Sequence, residues 1–189
     1  MAGEEKAQAF AVIRQWGDPV LREKARAVEE FDEAFAQQVS EMELIMRGAD
    51  GAGLAATQVG SLRRVFVYRL PDDADNAPAR VVVNPRIVEF GEATDVALEG
   101  CLSLGKAGVH VEVERPTEIV MEAVDVRGEP QRLEAKGIHA RILQHEFDHL
   151  DGVLMLDRTT AEQRRAAVRA LNAGVPYRPA TSEPSPQPE

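Results

Sequence analysis

One cysteine, four histidines, one tryptophan and an aromatic content of 5% leave few side chains in this chain able to carry demanding chemistry. A lone cysteine cannot form an internal disulfide, which agrees with a reducing compartment. No apolar run approaches the ~20 residues that a membrane span requires. Met1 to Lys6 is acidic and lacks the basic and apolar regions of a secretory signal, so the cytoplasm is the expected location. A net charge of −10 argues against general nucleic-acid binding, to DNA above all. No internal repeat is present, and 189 residues suit one domain with a substantial core. A monomer is the simplest expectation.

Against that sparse background stands Gln144-His145-Glu146-Phe147-Asp148-His149, an H-E-x-x-H motif in a helix-like segment. Positions four apart share a helix face, so His145 and His149 can aim two imidazoles at one metal ion. Glu146 lies beside them, placed to move a proton on a reacting water. The motif indicates a metallohydrolase, and the third ligand decides which kind. The metalloprotease pattern completes the site with a downstream histidine. Here Gly152 fits that pattern, but Met155 stands where the histidine belongs, and no histidine follows His149. A thioether is a poor ligand for a hydrolytic divalent ion. The candidates therefore lie upstream: Cys101, His110 and His139.

Cys101 sits in Glu99-Gly100-Cys101-Leu102-Ser103. A thiolate with two imidazoles makes a tetrahedral site with one open position. The plainer alternative is a small buried hydrophobe. A third segment, Gly51-Ala52-Gly53-Leu54-Ala55-Ala56-Thr57-Gln58, is rich in small residues and ends on an amide. A phosphate cradle would need a third glycine, where Ala56 stands, and a preceding strand. The other readings are a loop that approaches a peptide, with Gln58 donating to an oxyanion, or a simple chain reversal.

Residues 31–48 carry Phe35, Val39, Met42 and Ile45/Met46 at helical spacing behind an Asp32 N-cap. Short β-like runs follow at Arg64–Arg69, Arg80–Val83, Asp95–Leu98, Val109–Glu114, Glu118–Val124 and Gln131–Ala135. Asp125 to Pro130 reads as a hairpin turn, and Gly137 precedes the motif helix. Ile138, Ile142, His145 and His149 share one face of that helix, which should point into the core. The expected fold is α+β, with short mixed or antiparallel sheets wrapped around a central helix carrying H-E-x-x-H. Residues 1–9 should be a flexible N-terminus and 10–174 one catalytic domain. Residues 161–173 should form its C-terminal helix. Five prolines from Pro176 onward predict a disordered tail over 175–189.

The three segments 51–58, 99–103 and 144–152 together resemble the signature motifs of peptide deformylases, in the family's order and with similar spacing. Gly17-Asp18-Pro19-Val20-Leu21-Arg22, Val83-Asn84-Pro85 and Leu156-Asp157-Arg158 extend the resemblance across roughly residues 10 to 170. It implies hydrolysis of the N-formyl group of the initiator methionine in newly synthesised proteins, releasing formate and a free amine. It further implies Cys101, His145 and His149 as ligands of one ferrous ion, with zinc, nickel or cobalt able to replace it. Glu146 would move the proton, and Gln58 with the backbone N–H of Leu102 would stabilise the oxyanion. Ala52, Gly53, Glu99 and Gly100 would contact the formyl-methionyl nascent peptide, although Glu99 is equally placed to orient the ligands. Two other classes compete with this one, a zinc endopeptidase and a non-catalytic metal-binding protein.

One stretch departs from the family pattern. After Ser103 the chain reads Leu104-Gly105-Lys106-Ala107-Gly108-Val109-His110, about two residues longer, without the usual proline, and with His110 roughly where an arginine would stand. The helix at 161–173 carries Arg164, Arg165 and Arg169 against Glu162. A solvated charged face explains it, and the resemblance implies a ribosome-docking helix as the alternative.

Overall fold

The computed structural model describes residues 2–74 and 76–180. Helix α1 (Ala2–Val12) packs on α2 (Glu33–Gly48). Seven strands follow: β1 (Gly53–Ala55), β2 (Val65–Tyr68), β3 (Arg80–Phe90), β4 (Thr94–Gly100), β5 (His110–Pro116), β6 (Glu118–Val124) and β7 (Pro130–Lys136). Helix α3 (Gly137–Leu150) carries the H-E-x-x-H motif, and α4 (Ala161–Ala173) closes the described order. The fold is α+β. Its strands form a five-stranded sheet in the order β1-β2-β3-β6-β7 and a separate pair, β4-β5. Every strand pairing is antiparallel.

Local chemistry explains most of these elements. The Asp32 carboxylate accepts a bond from Phe35 N–H at 2.8 Å, capping α2, whose Phe35, Val39, Met42 and Met46 are buried. The Asp125 carboxylate accepts from the N–H groups of Arg127 and Glu129 and sets the β6–β7 hairpin, in which Val124 faces Pro130. Strand β3 runs well past Val83 because the register shifts between Val83 and Arg86. That bulge accommodates Asn84, at φ +51, and Pro85, which has no N–H for a regular ladder. The Asn84 amide bonds both the N–H and the carbonyl of Val28, tying the bulge to the preceding loop.

The structure adds detail at three places. Residues 2–9, expected to be flexible, belong to α1, where Ala9 is buried against Gly48 of α2. Small side chains on both helices let the two backbones approach. Residues 175–180 lie against the domain: Gly174 turns the chain in a left-handed cap, and Tyr177 bridges in parallel to Val109. Residues 181–189 of the expected tail lie outside the described residues. Ile138 does not face the core. It is 55% exposed, at the mouth of a cavity that Ile142 and His145 line deeper in.

Candidate active site

Helix α3 packs against β1, β2 and β7, and presents His145, Glu146 and His149 toward the start of the β4–β5 connection. Cys101 ends that approach as the N-cap of a short 3-10 turn, Leu102–Ala107. The Cys101 thiol and one ring nitrogen from each histidine lie within 4.8 Å of one another, and no other such group of three occurs among the described residues. Cys101 Sγ is 3.2 Å from His149 Nε2. The chain thus assembles the thiolate–imidazole–imidazole set, while His110 and His139, the other upstream candidates, fall elsewhere. His139 pairs with the Tyr68 hydroxyl at 3.0 Å, and His110 sits at the cavity edge. Met155 is 2% exposed and packs in the same apolar cluster as Cys101, a core residue in the place of a missing ligand.

The electrostatics of this cluster suit a cation. Burial alone would lower the His145 pKa, yet bonds to Cys101 and Glu99 raise it well above the ordinary histidine value. The Glu99 carboxylate therefore favours positive charge at this point. Burial and the neighbouring His145 charge drive the His149 pKa the other way, well below the ordinary histidine value. The His149 Nδ1 and the Glu146 Oε2 are buried without a hydrogen-bond partner. Two borderline imidazoles, one thiolate and orphaned buried polar atoms fit a divalent ion of the iron-to-zinc series.

Glu146 is buried against β1. A Cβ built on Gly53 would lie 2.6 Å from its carboxyl carbon, so only glycine leaves room for it. Burial pushes the Glu146 pKa up to about 7, close to the pH at which a proton-transfer group works best. Gln58 is held by its own turn: its Oε1 accepts the Ala55 N–H at 2.9 Å. That contact aims Nε2 toward Ser103 Oγ, at 3.1 Å, and Cys101 Sγ, at 3.7 Å. The amide is therefore fixed, as a donor, beside the cluster. Leu102 opens the 3-10 turn, and a helical turn leaves its first N–H groups without an internal partner.

Glu99 is buried behind the His145 ring. One of its oxygens accepts from His145 Nδ1 at 2.9 Å, which turns the other ring nitrogen toward Cys101. Arg115 holds both carboxylate oxygens at 2.6 and 3.0 Å, and Arg141 adds a bond at 2.7 Å. Arg115 also reaches Asp148 at 2.9 Å, which Arg158 meets from the other side at 2.7 Å. Sequence reading missed this buried network. One signal was present: Val111, Val113 and Arg115 alternate on one face of β5, so Arg115 occupies a core position and is 4% exposed. A buried guanidinium requires acidic partners.

A cavity of about 370 Å³ opens in front of the cluster. Ala52, Gly53, Gln58, Glu99, Gly100 and Leu102, all marked by the sequence, line it. Among the described residues β1 ends the larger sheet and β4 pairs only with β5, so each leaves one edge without a strand neighbour. Both edges contribute to the cavity wall, an arrangement open to an extended peptide adding as a strand.

Comparison with known proteins agrees with the geometry. Residues 10–165 match the family model for polypeptide deformylase. The peptide deformylase of Thermotoga maritima is 45% identical over 152 residues, covering 80% of this chain and 88% of that one. Peptide deformylase 2 of Streptomyces coelicolor is 44% identical over 155 residues, covering 82% and 86%. Among solved structures, a peptide deformylase from Synechococcus elongatus in complex with actinonin superposes with a TM-score of 0.79. It is 37% identical and covers 87% of this chain and 91% of that one. This chain belongs to the polypeptide deformylase family, hydrolases that remove the N-formyl group from newly made proteins.

Proposed function

We propose that Cys101, His145 and His149 hold one divalent ion, natively ferrous iron, and that Glu146 transfers the proton in formyl hydrolysis. The observation that carries this reading is the convergence of the three donor atoms within 4.8 Å beside the buried, unpartnered Glu146 oxygen. When bound, the ion supplies Lewis-acid chemistry, acidifying a water molecule and polarising an amide oxygen. Zinc, nickel and cobalt suit the same donors.

The chain's own residues do the rest. Glu146 takes the proton from the attacking water and delivers it to the leaving α-amine, so formate and a free N-terminal amine are the products. The Gln58 amide and the Leu102 N–H donate to the oxygen that gains charge, each contributing roughly 3 kcal/mol at comparable sites. Glu99, anchored by Arg115 and Arg141, fixes the tautomer and orientation of the His145 ring. Backbone groups of Ala52, Gly53 and Gly100 align the formyl-methionyl peptide between the two open strand edges. The methionine side chain packs on Ile138 and Ile142 of α3.

The setting we propose is the cytoplasm, with a monomeric enzyme acting on nascent chains. The exposed Arg164, Arg165 and Arg169 of α4 suit contact with the ribosome. Among the described residues no helix is long and apolar enough to cross a membrane. Formate release from formyl-Met-Ala-Ser by ferrous-loaded protein under anaerobic conditions tests the reading. Absence of formate from fully loaded protein overturns it.

A further inference from the structure

We propose that His110 determines specificity for the residue after the formylated methionine, accepting a hydrogen bond from its side chain. The segment from Val175 to Arg178 is the strap that holds His110 in place. This inference rests on the deformylase reading above and adds a residue and a segment to it.

His110 faces Gly100 in the β4–β5 register and lines the cavity one residue away from Cys101. A Cβ on Gly100 would lie 2.8 Å from His110 Nε2, so the ring covers the backbone of Gly100 closely. His110 Nδ1 contacts the Gly108 carbonyl at 3.3 Å. A carbonyl oxygen only accepts, so Nδ1 is the donor in this contact, and with the proton there Nε2 is the acceptor. Among the described residues Nε2 has no hydrogen-bond partner.

The lining of the cavity explains which substrate group meets it. Ile138 and Ile142 of α3 supply an apolar wall, and His110 with Gly105 and Gly108 supplies the wall formed by the loop. In an extended peptide successive side chains point to opposite sides. When the methionine packs on α3, the next side chain leaves α3 and turns toward the loop. A short donor there, such as serine or threonine, completes Nε2; alanine leaves it unpaired, and aspartate opposes acceptor to acceptor.

A glycine-rich loop needs support to hold such an acceptor still. Gly108 takes a left-handed conformation at φ +68, with Pro176 Cβ 3.5 Å from where its own Cβ would project. The His110 N–H donates to the Tyr177 carbonyl at 2.8 Å, and Val109 and Tyr177 form a parallel bridge. The Tyr177 ring packs on the cluster that contains Cys101, Leu104 and Val109. Tyr177 is thus a positioning residue, acting on substrate through His110.

The test compares formyl-Met-Ser-Ser, formyl-Met-Ala-Ser and formyl-Met-Asp-Ser as substrates of metal-loaded full-length protein. The wild-type kcat/KM should favour serine over alanine by roughly fivefold, the net worth of one hydrogen bond, with aspartate lowest. His110→Ala should bring the serine-to-alanine ratio near one, and His110→Gln, which restores an acceptor, should recover it. Tyr177→Ala should raise KM for the serine peptide several-fold with kcat and bound metal unchanged. A serine-to-alanine ratio near one in the wild type, or one unaltered in His110→Ala, overturns the role of His110. An unchanged KM in Tyr177→Ala overturns the strap. If the wild type releases formate from none of the three, the deformylase reading itself fails.

Discussion

Gly53 and Glu146 compete for the same space: a methyl group at position 53 would sit 2.6 Å from the Glu146 carboxyl carbon. The first signature segment and the motif helix are therefore coupled through the absence of a side chain. Gly53→Ala should push the Glu146 carboxylate off its position while leaving the three metal donors alone. We expect kcat to fall about 10²-fold, within the range that general acid–base catalysis contributes, with metal content unchanged. Paired measurement of turnover and bound metal checks this, and a wild-type kcat contradicts it.

Glu99 offers a second test, because it holds His145, a ligand in the proposed site, without belonging to that ligand set. Glu99→Gln preserves shape but removes the charge that Arg115, Arg141 and His145 share. Loss of such a partner behind a ligating histidine weakens metal binding by roughly 10–100-fold. A chelator competition titration measures the change. Equal affinity in the variant would show that the His145 ring needs no anchor.

Acid should dismantle the same network. Burial alone would raise the Glu99 pKa, but the bonds from His145 and Arg115 reverse this and hold it well below the usual carboxylate range. A carboxyl group depressed by folding adds stability above its unfolded pKa, ~4.3, and loses it as pH falls through the folded value. The contribution of Glu99 is thus complete at neutral pH and declines below about pH 4. Arg115→Met removes a main cause of the depression and leaves buried acids short of a partner. It should raise the acid-unfolding midpoint and cost on the order of 3 kcal/mol at pH 7. Circular dichroism across a pH series reads both effects, and an unmoved midpoint would contradict the assignment.

What the sequence displayed was what short-range chemistry specifies. The Asp32 cap, the α2 apolar face, the Asp125 turn and the 145/146/149 spacing each depend on residues within a few positions of one another. Cys101 and Gln58 stand out in the sequence as well, because their flanking segments have recognisable form. The buried Arg115–Glu99–Asp148 network was not, since it joins β5, β4 and α3 across distances along the chain that no local pattern reports. Strand β1 escaped for a different reason: Gly53-Leu54-Ala55 has no strand signature and exists through its pairing with Phe66, Val67 and Tyr68. Residues 175–180 are a related case: their composition favours disorder, yet one aromatic side chain and one edge bridge place Tyr177 against the domain.

The central claim is that Glu146 moves the proton beside an ion held by Cys101, His145 and His149. Glu146→Gln tests it most directly, because the substitution keeps the buried shape and removes the titrating group. Metal content and formate release from formyl-Met-Ala-Ser should be measured on the same anaerobic preparation. The account predicts one bound ion, as in the wild type, with turnover reduced by a factor of ~10²–10⁴ or more. Near-normal formate release from the metal-loaded variant would contradict it.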